Sequence, residues 1–167
     1  MVYILTHDRP LNSYEEWQSH WSRYCDYLAS IRNQLPPAAY NFASASWHYD
    51  FSDHRAPHDG WVDEIIIREP ASGNRKEHRS LEIVIKLFAA YHNGHIELKY
   101  LAVQNYSLGC CAQSGYAHGD WMYDEIRLSD RKCVLHEIEW SCGSRWVIEC
   151  GDVSYKWIPF DAVEDAG

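Results

Sequence analysis

The stretch HDGWVDEI, His58 to Ile65, returns as HGDWMYDEI, His118 to Ile126. Each copy sets Asp and Gly before a Trp and follows it with an Asp-Glu-Ile run. Asp and Gly tolerate left-handed and bridging backbone, and an Asp side chain bonds amides two residues on, so each phrase opens on a turn. The Trp then reads as the first inward anchor of a strand, and the Asp-Glu pair as the strand's start, where a carboxylate meets a facing His or a backbone amide. The turn at Gly94 corresponds to the turn at Gly143, so the spacing predicts two copies of a four-strand unit. A unit of roughly fifty residues buries too little apolar surface to stand alone, and the two apolar faces are expected to meet in a common core.

Outward from the phrases, the hydrophobic period is close to two. WHYDF, 47–51, alternates like a strand and SDHRAPHDG reads as a loop. Trp61 to Arg68 is a strand, REPASGNRKEH an exposed connection, and Leu81, Ile83, Ile85 and Leu87 one inward row. HNG at 92–94 turns the chain and HIELKYLAV returns; the parity change between Tyr100 and Leu101 predicts a bulge there. QNYSLGCCAQSGYAHGD reads as a second loop. Met122 to Leu128, then Val134, His136, Ile138 and Trp140, then Trp146, Ile148 and Cys150, then Val153, Tyr155 and Trp157 follow as strands, with turns at SDRK and CGS.

Ahead of the strands, Trp17, Trp21, Tyr24, Leu28, Ile31 and Leu35 recur at steps of four, three, four, three and four, a single apolar stripe on a helix. Ser13-Tyr14-Glu15-Glu16 reads as its capping box and Pro36-Pro37 as its stop. PAAYNFASAS reads as a second short helix with Pro37 in its first turn. Barely three heptads with aromatics at the seam favour packing on a sheet over a dimeric coiled coil. The expected fold is α+β and mainly antiparallel, a sandwich or strongly curved sheet from two duplicated four-strand units with an N-terminal helix packed on it. It is expected as a single domain over 1–167, with a helical cover at 1–46, a first β unit at 47–110 and a second at 111–160.

Eight Trp and 12 Tyr in 167 residues are a high aromatic content, and some of those rings are expected to face a partner. Fifteen Lys and Arg against 24 Asp and Glu leave a net charge of −9, which repels phosphate backbones and attracts basic surfaces. Nucleic acid is not an expected partner. MVYILTHDRP lacks the basic leader and apolar run of a secretory signal, and EIVIKLFAAY is too short to span a bilayer, so no membrane partner and a cytoplasmic location are expected. Cys25, Cys110, Cys111, Cys133, Cys142 and Cys150 show no CxxC spacing and are read as six free thiols of a reducing compartment.

Among the ten His, the richest stretch holds His48, Asp50, Asp53, His54, His58 and Asp59. Imidazoles and carboxylates at this density make His48, His54, His58 and Asp59 candidate metal ligands, completed by His118 and Asp120 if the two copies set equivalent loops side by side. Nothing in the spacing fixes their convergence, and solvated loop histidines are the expected case. His92 and His95 flank a turn and would turn to one side. His136 shares a face with Val134, Ile138 and Trp140, so its ring points inward and needs a partner such as Asp124 or Glu125. With no GxSxG, HExxH or phosphate-binding loop, and Cys110-Cys111 only a small-residue connection, no catalytic residue and no cofactor are assigned.

An acidic, aromatic-rich β chain of this kind suits binding to a basic protein. The two phrases, together with LHEIEWSCGSRWVIECGDVSYKW, resemble the small bacterial β-rich domains of the immunity-protein type from polymorphic toxin systems. The resemblance covers Ala56 to Trp157 and leaves out the helical third. It implies stoichiometric neutralisation of a toxin, without a cofactor, and designates no contact residues. Two other readings stand beside it: a metal-assisted hydrolase built on 48–59, and a structural subunit of a homo-oligomer using the Trp17 to Leu35 stripe.

Overall fold

The computed structural model describes residues 3–5, 14–110 and 117–160. Its elements run α1 Tyr14–Ile31, α2 Pro37–Ala43, β1 Trp61–Arg68, β2 Ala71–Ser72, β3 His78–Arg79, β4 Glu82–Phe88, β5 Gly94–Leu101, β6 Asn105–Leu108, β7 Trp121–Leu128, β8 Val134–Trp140, β9 Arg145–Cys150 and β10 Asp152–Pro159. The fold is α+β and mostly antiparallel. One sheet has the order β1-β4-β5-β10 and the other β6-β9-β8-β7, while β2 and β3 form an exposed hairpin of their own.

The inward rows foreseen from the period of two meet in one core: Ile83, Ile85, Leu87, Ile96, Leu98 and Tyr100 from the first sheet, and Val134, Ile138, Trp140, Trp146 and Ile148 from the second. The two sheets have the same order of strands, three in succession and a fourth beside the third. The fourth is exchanged, however. β6 follows β5 in the chain yet pairs with β9, and β10 follows β9 yet pairs with β5. Each half therefore completes the other's sheet, a stronger reason for interdependence than buried area alone.

The two phrases touch. Asp59 N–H donates to Trp121 O and Trp121 N–H to Gly60 O, each at 2.8 Å, and His58 Nδ1 donates to Met122 O at 2.7 Å. Gly60 is required at this crossing, since a Cβ there would lie 2.9 Å from Pro57 O and 3.3 Å from Phe88 O.

Several expectations are corrected. Trp61 is not an inward anchor; it is 39% exposed, whereas Trp121 is fully buried. The register explains the difference. Trp61 pairs with Phe88 and Ile65 with Ile85, with a bulge after Val62, so Trp61 and Ile65 fall on opposite faces. Trp121 pairs with Trp140 and Ile126 with His136, again with one bulge. The second phrase is one residue longer, so Trp121 and Ile126 share a face. No bulge lies between Tyr100 and Leu101; β5 stays in register to its end and the chain turns at Ala102, with φ 49°. WHYDF is a run of turns closed by His48 N–H to Ala45 O and Asp50 N–H to Trp47 O, and the start of the second loop is β6.

Both helices form, with Pro37 in the first turn of α2; α1 ends at Ile31, before the prolines. Ser13 of the capping box lies outside the described residues. The apolar stripe packs along the free edge of β7. There the Tyr24 hydroxyl accepts from Ile126 N–H (2.8 Å) and donates to Ile126 O (3.0 Å), and the Tyr27 hydroxyl accepts from Leu128 N–H (2.9 Å). The Tyr49 hydroxyl donates to Asp124 O at 2.6 Å. Side chains thus take the place of a neighbouring strand and close an edge that would otherwise accept one.

Cys25, Cys110, Cys133 and Cys150 are free. Cys142 is disulfide-bonded, which corrects the expectation of six free thiols; Cys111 lies outside the described residues. No described helix is long and apolar enough to cross a membrane.

Candidate functional site

Because the longer second phrase restores parity after its bulge, Asp124 points into the core, whereas Asp63, its counterpart, sits at the first bulge with an exposed carboxylate near Lys86 (3.5 Å) and His95 (3.3 Å). Around Asp124 converge His48 from the turns after α2 and His136 from β8. His48 Nε2 lies 2.9 Å from both carboxylate oxygens, His136 Nε2 2.9 Å from Oδ2, and Trp121 Nε1–H donates to Oδ1 at 3.2 Å. Tyr100 on β5 lies 2.8 Å from His136 Nδ1, so the array joins the two sheets.

Hydrogen-bond chemistry assigns the protons. His48 Nδ1 faces the carbonyl of Phe42 at 2.9 Å and its Nε2 faces the carboxylate, so both nitrogens donate. His136 donates from Nε2 to the carboxylate, and its Nδ1 shares a hydrogen bond with the Tyr100 hydroxyl. Burial by itself would raise the Asp124 carboxyl, but the charge of His48 and the hydrogen bonds from both imidazoles outweigh it and hold the group well below its ordinary 3.8. The ring nitrogens of both histidines are engaged and the carboxylate is enclosed, so the array holds two sheets and a helical cover in register.

A second enclosed carboxylate, Glu125, points to the other face of β7. Its Oε2 accepts from the amides of Tyr3, Ile4 and Leu5 at 2.8, 2.6 and 3.3 Å, while Oε1 lies 2.6 Å from Arg127 Nε. Residues 3–5 are thereby tied across β7.

The candidate ligands of 48–59 do not converge. His48 is consumed in the core. His54 stacks on Tyr91 at 4.0 Å and His58 on Phe51 at 3.8 Å. Asp59 has φ 60° and a carboxylate 3.5 Å from His58. Asp50 accepts from Ser52 and Asp53 pairs with Arg55. His118 packs edge-on against Trp146, where burial lowers its pKa, and Asp120 N–H donates to Ser141. Among the described residues no group of three or more His, Cys, Asp or Glu side chains is arranged to hold a metal ion.

The histidines and rings of 51–61 contribute instead to an exposed aromatic patch around the turn at 89–93. Phe51, Trp61, Tyr91 and Phe160 all stand exposed. Tyr91 donates to Phe51 O, Trp61 packs on Phe88 and His92, and Phe160 packs on Phe88 and His95. Asp59 and Asp63 carry exposed carboxylates on the segment that supplies Trp61. That His136 meets Asp124 or Glu125 was legible, and the partner is Asp124; His48 and Tyr100 were not legible, because only the turns after α2 and the facing of the sheets bring them in. Comparison with protein-family models, with curated proteins and with solved structures finds no match.

Proposed function

We propose that this chain is a non-catalytic protein-binding module that holds a basic protein against the aromatic patch around residues 89–93. The observation that carries the reading is the convergence of Phe51, Trp61, Tyr91 and Phe160 at the surface beside Asp59 and Asp63, while the most chemistry-capable side chains, His48, Asp124 and His136, are sealed in the core. Large exposed rings supply contact area at small entropic cost, and a net charge of −9 steers a cationic partner towards them. Neutralisation of a basic toxin, as the resemblance to immunity proteins implies, is the biological form this binding takes in the proposal.

Affinity capture from the native cell tests it. A basic protein recovered at low ionic strength, released by salt and lost with the Trp61→Ala/Tyr91→Ala double variant, is the expected result. Recovery of no protein by the folded wild-type chain at low salt contradicts the reading.

A further inference from the structure

The edge of β7 is closed by tyrosine hydroxyls, but its counterpart β1, beyond the bridge from Trp61 to Asp120, has no such cover among the described residues. In the β4–β5 hairpin, Ala89 N–H donates to Gly94 O, which fixes the alternation: Ile83, Ile85 and Leu87 bond to β5, and the residues between them bond to β1. Val84 and Lys86 thus engage Ile66 and Glu64, so the N–H and C=O groups of Ile65 and Ile67 point away from the sheet. They have no hydrogen-bond partner among the described residues. Ile66 is 37% and Ile67 44% exposed, which makes this an apolar edge with free bonding groups.

We propose that the occupant of this edge is β1 of a second copy, paired antiparallel about a twofold axis at Ile66. In that register Ile65 of one chain meets Ile67 of the other, and the outward groups of these residues exchange four hydrogen bonds in all. Ile66 faces its own copy, and Glu64 lies opposite Arg68 twice, an opposite-charge pair on each side of the axis. Shifting the axis to Ile65 sets Glu64 against Ile66; shifting it to Ile67 sets Arg68 against Ile66. Only the central register matches apolar with apolar and acid with base. Among the described residues Arg68 bonds only Glu82, through Nε at 3.1 Å, which leaves the terminal nitrogens of its guanidinium for a partner. The bulge at Asp63 and the proline at 70 bound the pairing, and two four-stranded sheets become one of eight.

Sedimentation equilibrium over a roughly hundred-fold range of concentration tests this. The wild-type chain is expected to pass from monomer to dimer. Ile67→Pro removes an N–H that no internal bond uses, so it should abolish the dimer and leave the near-ultraviolet circular dichroism unchanged. Glu64→Arg and Arg68→Glu should each weaken association roughly tenfold or more by setting like charges opposite each other twice, and the double exchange should restore it. A folded wild-type chain that stays monomeric, a dimer indifferent to Ile67→Pro, or a double exchange that fails to recover association overturns the proposal.

Discussion

Trp61 and Trp121 occupy corresponding places in two nearly identical phrases and lie on opposite faces of their strands. The cause is a single residue. The longer second phrase keeps Trp121 on the same face as Ile126, and the shorter first phrase turns Trp61 away from Ile65. The same residue carries Asp124 into the core and leaves Asp63 at the surface. One turn-and-strand pattern thus yields a structural centre in one sheet and an exposed ring in the other.

This asymmetry predicts unequal costs of truncation. Trp121→Ala empties a fully buried site packed against Trp140 and His136 and should cost about 3–5 kcal/mol. Trp61→Ala removes a ring already partly in water and should cost about 1 kcal/mol or less. Urea unfolding of the two variants checks the order; equal losses would mean that the register assigned to one phrase is wrong.

For Asp124 the prediction concerns acid. Its folded-state pKa is depressed, so its contribution to stability is complete above the unfolded value of 3.8 and disappears as pH falls towards the folded value. The wild-type chain should lose stability as the pH drops below about 4. Asp124→Asn breaks a buried pair, and should cost about 3–5 kcal/mol at neutral pH and flatten the acid limb of the stability profile. Urea midpoints measured against pH for the two proteins make the comparison; parallel acid limbs would show that other carboxylates dominate.

The closure of β7 makes a third prediction. Tyr24→Phe strands the Ile126 amide and carbonyl in the core and should cost about 1–3 kcal/mol, with faster hydrogen exchange at Ile126. Burial, reinforced by the charge of Asp124, also pushes the Tyr24 and Tyr49 phenols well above 10.0. Above the unfolded value only the unfolded chain loses these protons, so stability should fall as the pH rises past about 10. A spectrophotometric titration in which all the tyrosines ionise together near that pH, with the fold intact, would contradict the burial.

The parts of the fold legible in the sequence are those governed by local period. The rows Ile83-Ile85-Leu87 and Val134-His136-Ile138-Trp140 place a buried side chain at every second position, and α2 carries Pro37 in its first turn, so both classes of element could be read directly. His136 was readable as an inward ring seeking Asp124 or Glu125 because these lie on the adjacent strand, and the register chooses Asp124. The exchange of β6 and β10 was not readable, since strand partners far apart in sequence leave no local trace, and Asn105–Leu108 is polar enough to pass for a loop. His48 looked like a metal ligand because its neighbours include Asp50 and Asp53. What draws it inward is the carbonyl of Phe42 and a carboxylate 76 residues away.

The cysteines supply the last prediction. Burial pushes the Cys150 thiol up to about 12, so in the native chain it should react with iodoacetamide far more slowly than exposed Cys110. In denaturant without reductant, Cys25, Cys110, Cys133 and Cys150 should all be alkylated, while Cys142 should take up label only after reduction. Peptide mass mapping of the two reactions reads the result. Full labelling of Cys142 without reductant, in protein isolated under conditions that block thiol exchange, would show that the bond is absent in the cell and that the chain folds with that thiol reduced. The expectation of a free thiol would then hold for Cys142.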